Sequence, residues 1–324
     1  MLNLLVLRRI VVIAIILAVP TLIANCSRVA YGVLNAPAYL GSYERRANIR
    51  YGELPRQSLD VYVPNGARNR PTVVFWYGGI WTKGTKEQYR FVGAALASAG
   101  YVAILADYRL YPGVRFPDFV DDGALAVKWA REHAGEMGGD PRSIFIMGHS
   151  AGAHLAALLA LDERYLKKVG GDASWIRGWI ALSAPYELEM RVKVLDFIFG
   201  AHSRAEWQPI QLVSSRAPPA LLIHGLDDNM VHPHEAVDFD EKLRAAGVPV
   251  DCRLYAGAGH TGPVTALSLP MRPFGRTLAD VRRFIDLTVA AGVRSKPEFD
   301  APCTSVKERK TYYWENPPRP LGPA

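Results

Sequence analysis

Gly148-His149-Ser150-Ala151-Gly152 follows directly on the apolar run Ile144-Phe145-Ile146-Met147 and leads into a stretch of small, helix-favouring residues. A serine framed by two glycines between a strand and a helix marks a tight turn that lifts one hydroxyl above a sheet edge. The chemistry available to such a serine is nucleophilic acyl transfer. A hydroxyl is a weak nucleophile until a base takes its proton, and the base must be held in one tautomer by a third group. His260 sits in Gly257-Ala258-Gly259-His260-Thr261-Gly262, where flanking glycines let a short loop carry an imidazole over the sheet. Asp227 and Asp228 stand together at the carboxyl end of the apolar run Ala220–His224, so either is placed to orient that imidazole.

Chemistry of this kind needs a sheet whose strand ends converge. From about Arg46 the chain alternates short β-rich runs with helix-like segments, the rhythm of an α/β protein with a mostly parallel sheet. Eight strands are expected, at Asn48–Tyr51, Ser58–Val63, Thr72–Tyr77, Val102–Tyr108, Ile144–Gly148, Gly178–Ser183, Ala220–His224 and Asp251–Tyr255. Helices are expected at Lys86–Ala99, Phe119–His133, Ala151–Leu161, His234–Ala246 and Arg276–Ala290. The first strands lack intervening helices, which predicts an antiparallel edge. The segment 187–213 breaks the rhythm and reads as a small helical cap insertion in a domain spanning 40–290.

The two ends read differently. Residues 1–24 are a basic pair, Arg8-Arg9, followed by a nearly unbroken apolar run, so residues 1–28 are expected to be a signal peptide or membrane anchor, with the domain on the extracytoplasmic (periplasmic) side. Ile23-Ala24-Asn25-Cys26 resembles a lipoprotein processing box except at Asn25. Residues 291–324 form a proline-containing tail that ends in no regular pattern and carries Tyr312-Tyr313-Trp314. The net charge of +7 resides mostly in these ends, and the domain between them has nearly balanced charge and no long basic run, which argues against nucleic-acid binding. Cys26, Cys252 and Cys303 have no zinc-like spacing. Two isolated thiols at Cys252 and Cys303 are the favoured reading; their pairing requires an oxidising compartment. His232 and His234 have an H-x-H spacing without an evident third ligand, so no metal site is expected, and His149 is read as a packing residue.

Taken together, Trp76-Tyr77-Gly78-Gly79-Ile80-Trp81, Asp107-Tyr108-Arg109-Leu110, Gly138-Gly139-Asp140-Pro141, the serine turn, His224-Gly225 and Gly257-Ala258-Gly259-His260 resemble the α/β-hydrolase superfamily in its esterase/lipase branch. The similarity runs from about Asn48 to Ala290. It is greatest to small carboxylesterases of the feruloyl-esterase-like, kynurenine-formamidase-like and prenylcysteine-methylesterase-like kind. The resemblance implies a triad of Ser150, Asp228 and His260, with Asp227 closing the turn. It also implies an oxyanion hole from the Ala151 amide and the loop amides of Gly78 and Gly79, extending to Ile80. Family members usually read His-Gly-Gly where this chain has Tyr77; that histidine braces the loop, and the Tyr77 hydroxyl is expected to do the same. Trp81, directly after the loop, is a candidate substrate contact, with Trp76, Tyr186 and Trp207 equally readable as core. The activity implied is serine carboxylesterase action on small to medium esters through an acyl-enzyme, with no cofactor and a small-molecule ester as partner. An amidase or formamidase using the same triad, and a non-catalytic binding protein on the same fold, remain the alternatives. Attachment to a membrane is expected through residues 1–24.

Overall fold

The computed structural model describes residues 28–188, 193–292, 297–299 and 303. The apolar segment 1–24, Cys26 and Tyr312-Tyr313-Trp314 lie outside them. Eight strands form one sheet: β1 Tyr43–Arg50, β2 Ser58–Pro64, β3 Arg70–Trp76, β4 Val102–Ala106, β5 Gly139–His149, β6 Gly178–Leu182, β7 Ala220–Gly225 and β8 Val250–Tyr255. Their spatial order is β1-β2-β4-β3-β5-β6-β7-β8. The β1–β2 and β2–β4 pairs are antiparallel and all later pairs are parallel. Strands β4, β6 and β7 are buried along their whole length, as continuous apolar strands covered on both faces must be.

The helices are α1 Arg90–Ser98, α2 Asp118–His133, α3 Ala151–Leu161, α4 Arg164–Lys168, α5 Lys193–Phe199, α6 Arg204–Trp207, α7 His234–Ala245, α8 Gly262–Thr265 and α9 Thr277–Ala290. Helix α3, Ala-Gly-Ala-His-Leu-Ala-Ala-Leu-Leu-Ala-Leu, has no polar face and is buried on all sides save its last residue. It lies behind the serine turn as the central pillar of the domain. Within 187–213 the chain forms α5, α6 and a 3₁₀ turn at Pro209–Leu212. Among the described residues no helix is long and apolar enough to cross a membrane.

Three sequence expectations need correction. Strand β1 begins at Tyr43, not Asn48. A register shift between Arg46 and Ile49, with Asn48 at φ 57°, breaks the alternation that would have marked its start. The helix expected over Lys86–Ala99 opens with a separate 3₁₀ turn, Lys86–Tyr89, fixed by a Thr85–Gln88 capping box. Cys252 and Cys303 are joined in a disulfide instead of standing as isolated thiols. The bond ties residue 303 of the tail to β8, and Phe299 stacks on Phe284 of α9 beside it.

Candidate active site

Ser150 is the N-cap of α3 and takes φ 53°, ψ −121°, a conformation that costs a non-glycine residue free energy. The surroundings enforce it. A Cβ on Gly148 would meet Gly152 at 2.2 Å, and one on Gly152 would meet the Trp76 carbonyl at 2.2 Å. The turn therefore closes only with glycine at both places. The Ser150 amide donates to the Leu182 carbonyl of β6 at 2.9 Å, which anchors the turn to the neighbouring strand.

The other two expected residues converge on this serine. His260 Nε2 lies 2.9 Å from Ser150 Oγ, and His260 Nδ1 lies 2.8 Å from Asp228 Oδ2. Asp228 is buried while Asp227 is exposed. The Asp227 amide donates to the Ala258 carbonyl at 3.0 Å, which fastens the turn after β7 to the loop that carries His260. The assignment of turn closure to the Asp227 side chain is corrected: Asp228 Oδ1 itself accepts from the Met230 and Val231 amides, both at 2.9 Å. His224 Nε2 lies 3.1 Å from Asp228 Oδ2 and 2.9 Å from the Val231 carbonyl, so this nitrogen carries a proton between two acceptors. Burial opposes the charge on Asp228, but the hydrogen bonds from His224 and His260 prevail and hold its carboxyl well below the ordinary carboxylate range.

The loop after β3 lies against the nucleophile: a Cβ on Gly78 would stand 2.9 Å from Ser150 Cβ. Its backbone is left-handed at Gly79, Ile80 and Trp81, with φ 136°, 54° and 55°. Gly78, the first of the expected loop donors, has its backbone beside the Tyr89 hydroxyl. Among the described residues the amides of Gly79, Ile80 and Ala151 meet no acceptor in the chain, nor does that of Trp81 beyond them.

Tyr77 braces this loop in the manner expected. Its hydroxyl accepts from Arg56 Nη2 at 2.6 Å, and the same guanidinium donates to the carbonyls of Gly84 at 2.7 Å and Tyr108 at 2.9 Å. The Tyr108 hydroxyl returns to the Tyr77 carbonyl at 2.9 Å, and the two rings stack at 4.9 Å. Arg109 grips buried Asp122 through Nε at 2.9 Å, so the Asp107-Tyr108-Arg109 run is structural support for the loop. Tyr77→Phe is expected to lower kcat about tenfold with KM within twofold, the equivalent of ~1.4 kcal/mol lost from the transition state. Steady-state kinetics check this; an unchanged kcat in a variant that merely melts earlier would reduce the brace to a stability device.

Trp81 is corrected as well. It is buried, its ring packed against Phe119, His154 and Phe199 at centroid distances of 6.2, 5.0 and 5.0 Å. It joins the loop to α5 instead of standing open to a substrate. Trp207 stacks on Phe199 at 4.6 Å and Tyr186 on Phe239 at 4.1 Å, so both belong to the core, as does Trp76. His232 and His234 lie with ring centroids 5.0 Å apart, and among the described residues no group of three or more His, Cys, Asp or Glu is placed to hold a metal ion.

His149 is more than a packing residue. Its Nε2 lies 3.1 Å from the His260 carbonyl and its Nδ1 3.4 Å from the Tyr89 hydroxyl. Burial, with the neighbouring His260 imidazole adding to it, pushes His149 down to about 3; burial pushes His154 of α3 down to about 4. Both rings are therefore neutral in the folded protein at neutral pH. A neutral His149 donates from Nε2 to the His260 carbonyl and accepts the Tyr89 proton on Nδ1, which links the Lys86–Tyr89 turn to the His260 loop. The unfolded chain protonates both rings near 6.5, so it binds more protons than the folded chain between about pH 4 and 6.5. Stability should consequently fall as pH is lowered through that window, by on the order of 1–2 kcal/mol per ring at pH 5. Thermal unfolding at pH 7.5 and pH 5 tests this, and His154→Gln should flatten part of the slope; an unaltered slope would count against the assignment.

The sequence and the architecture find counterparts among known proteins. The family model described as BD-FAE matches residues 59–174. Isoprenylcysteine alpha-carbonyl methylesterase ICME of Arabidopsis thaliana is 31% identical over 250 residues, covering 70% of this chain and 58% of that protein. Esterase LipC of Mycobacterium tuberculosis (strain ATCC 25618 / H37Rv) is 33% identical over 242 residues, covering 67% of this chain and 60% of LipC. The chain thus spans about three fifths of the length of these curated relatives. The propionate-bound thermophilic esterase Est2 of Thermogutta terrifontis superposes with a TM-score of 0.62 at 26% identity, over 78% of this chain and 95% of that one. A carbohydrate esterase from gut microbiota shares the fold at a TM-score of 0.65 and 20% identity, over 77% of this chain and 98% of that one. With its eight-stranded sheet, its serine turn and these relatives, the chain belongs to the esterase branch of the α/β-hydrolase superfamily.

Proposed function

We propose that the protein is a serine carboxylesterase that hydrolyses small to medium carboxylic esters through an acyl-enzyme. The observation that carries this reading is the continuous hydrogen-bond line from Ser150 Oγ through the His260 imidazole to buried Asp228. In this mechanism His260 Nε2 accepts the Ser150 proton as Oγ attacks the ester carbonyl carbon. The tetrahedral oxyanion is held by the amides of Ala151, Gly79 and Ile80, and helix α3 points its positive end at the same place. His260 then gives its proton to the departing alcohol. Water, deprotonated by His260, attacks the acyl-enzyme and releases the acid and Ser150. Asp228 remains a carboxylate throughout and keeps the Nδ1 proton of His260 on its own side. Relatives named as esterases support the reading, as does a Thermogutta terrifontis esterase 2 described as phosphoramylated by tabun, at 26% identity and a TM-score of 0.59.

The full chain should be labelled by a serine-directed fluorophosphonate and should hydrolyse p-nitrophenyl butyrate. Absence of both would leave the binding-protein alternative in place, and faster turnover of a matched amide would favour the amidase. We further propose export with retention at the membrane through residues 1–24. The Cys252–Cys303 disulfide supports this, since structural disulfides persist in oxidising compartments.

A further inference from the structure

Six of the eleven exposed large apolar side chains among the described residues fall on two segments of the chain. Among the described residues, Val29, Val33, Tyr39 and Leu40 are exposed on one segment and Leu269 and Phe274 on another. Leu40 is 88% and Phe274 78% exposed. The two segments meet: Ser268 Oγ donates to the Leu34 carbonyl at 2.7 Å, so Val33 and Leu269 each adjoin the bonded pair. Val29 and Val33 are four apart in the helical stretch 28–35 and so share a face. Phe274 closes the 3₁₀ stretch Leu269–Phe274.

Two more observations define what fits this face. Residues 28–42 and 256–279 contain no aspartate or glutamate, yet carry Arg28, Arg272 and Arg276. Glu87 borders the first segment through the Asn35 side chain, but the two segments themselves carry arginines and no acid, the pattern that seats in an interface with anionic headgroups, apolar tips in the acyl boundary and guanidinium groups at the phosphates. Arg28 stands four residues after the apolar sequence 1–24, so if that sequence is held in a membrane this face is held close to it. The face borders the site. Tyr31 packs its ring 5.8 Å from Tyr89, the partner of His149, and the second segment follows His260 by eight residues.

We propose that Val29, Val33, Leu40, Leu269 and Phe274 form a docking face for an anionic lipid surface, one that turns the Ser150 site toward esters residing in the leaflet. This rests on the reading of residues 1–24 as a membrane-held segment. A face of this kind gives the enzyme access to acyl esters too apolar to diffuse through water, and its substrate class becomes amphiphilic, with the scissile carbonyl near the headgroups.

The test uses the full chain with Cys26→Ser and Phe274→Cys, a nitroxide on the new thiol, reconstituted in phosphatidylglycerol–phosphatidylcholine vesicles. The expected result is a label accessible to oxygen, shielded from an aqueous nickel chelate, and free of spin–spin coupling. A label open to the nickel chelate would overturn the proposal. So would coupling between labels, which would assign the face to a second copy, or shielding that persists without lipid, which would assign it to residues 1–27. In parallel, Leu269→Ser/Phe274→Ser should lower hydrolysis of a long-chain ester carried in these vesicles about tenfold, and leave p-nitrophenyl acetate turnover within twofold; equal losses on both esters would also overturn it. The label reads docking without catalysis, so a chain that docks yet hydrolyses neither ester would sink the esterase reading alone.

Discussion

Ser150→Ala is expected to reduce kcat for p-nitrophenyl butyrate by about 10⁴–10⁶-fold with little change in KM. The size follows from the geometry. Ser150 Oγ is the atom that His260 Nε2 faces at 2.9 Å, at the start of α3 and beside the free amides of Gly79, Ile80 and Ala151. Without the hydroxyl no acyl-enzyme forms, and what remains is oxyanion stabilisation of direct water attack. Alanine keeps the Cβ, so the backbone strain at φ 53° is unchanged and the loss is confined to one hydrogen bond, about 1 kcal/mol. The variant should therefore fold, melt within a few degrees of the parent and fail to take up a fluorophosphonate. Ser150→Gly should be equally inactive yet no less stable, because glycine adopts this φ without penalty. Retention of more than about a hundredth of the parent rate in Ser150→Ala would place the nucleophile elsewhere.

The serine turn was legible from the sequence because everything that shapes it is local: a buried strand, two glycines with no room for a side chain, and a helix start. The approach of Asp228 and His260 was legible for a related reason, since both follow consecutive parallel strands and must emerge on the same edge. What escaped was set by packing between distant segments. Arg56 comes from the loop between β1 and β2, and nothing in its neighbours Pro55 and Gln57 announces that its guanidinium will hold the carbonyls of Gly84 and Tyr108. The Tyr89–His149–His260 line joins three segments far apart in the chain, and no local pattern around any of them announces it. Trp81 follows the loop as a pocket residue would, but its burial depends on Phe199 of α5, more than a hundred residues on. The Cys252–Cys303 pairing likewise depends on the tail returning to β8, for which spacing offers no sign. His224 had a weak local signal: it ends an otherwise apolar strand four residues before the acid, a position from which its ring reaches that carboxylate.

Asp228→Asn should be the second most damaging single change, lowering kcat by about 10³–10⁴-fold. Each carboxylate oxygen of Asp228 receives two donors: His260 Nδ1 and His224 Nε2 at Oδ2, the Met230 and Val231 amides at Oδ1. An asparagine side chain offers one acceptor oxygen and one donor nitrogen, so either orientation sets an NH₂ group against two N–H donors. If the nitrogen faces the imidazoles, His260 must yield its Nδ1 proton and carry one on Nε2, where it can no longer accept from Ser150. If it faces the backbone, the turn that positions residue 228 loses both amide bonds. The first outcome abolishes the base and keeps the fold; the second loosens both, at about 1–3 kcal/mol. His224→Gln, which removes one donor and leaves the His260 contact in place, should cost far less, on the order of tenfold. Asp227→Asn supplies the control, because Asp227 is exposed and acts through its backbone amide, so its kcat should stay within twofold. Steady-state kinetics and melting curves on the three variants separate these outcomes, and a larger loss at Asp227 than at Asp228 would transfer the role of orienting carboxylate to its neighbour.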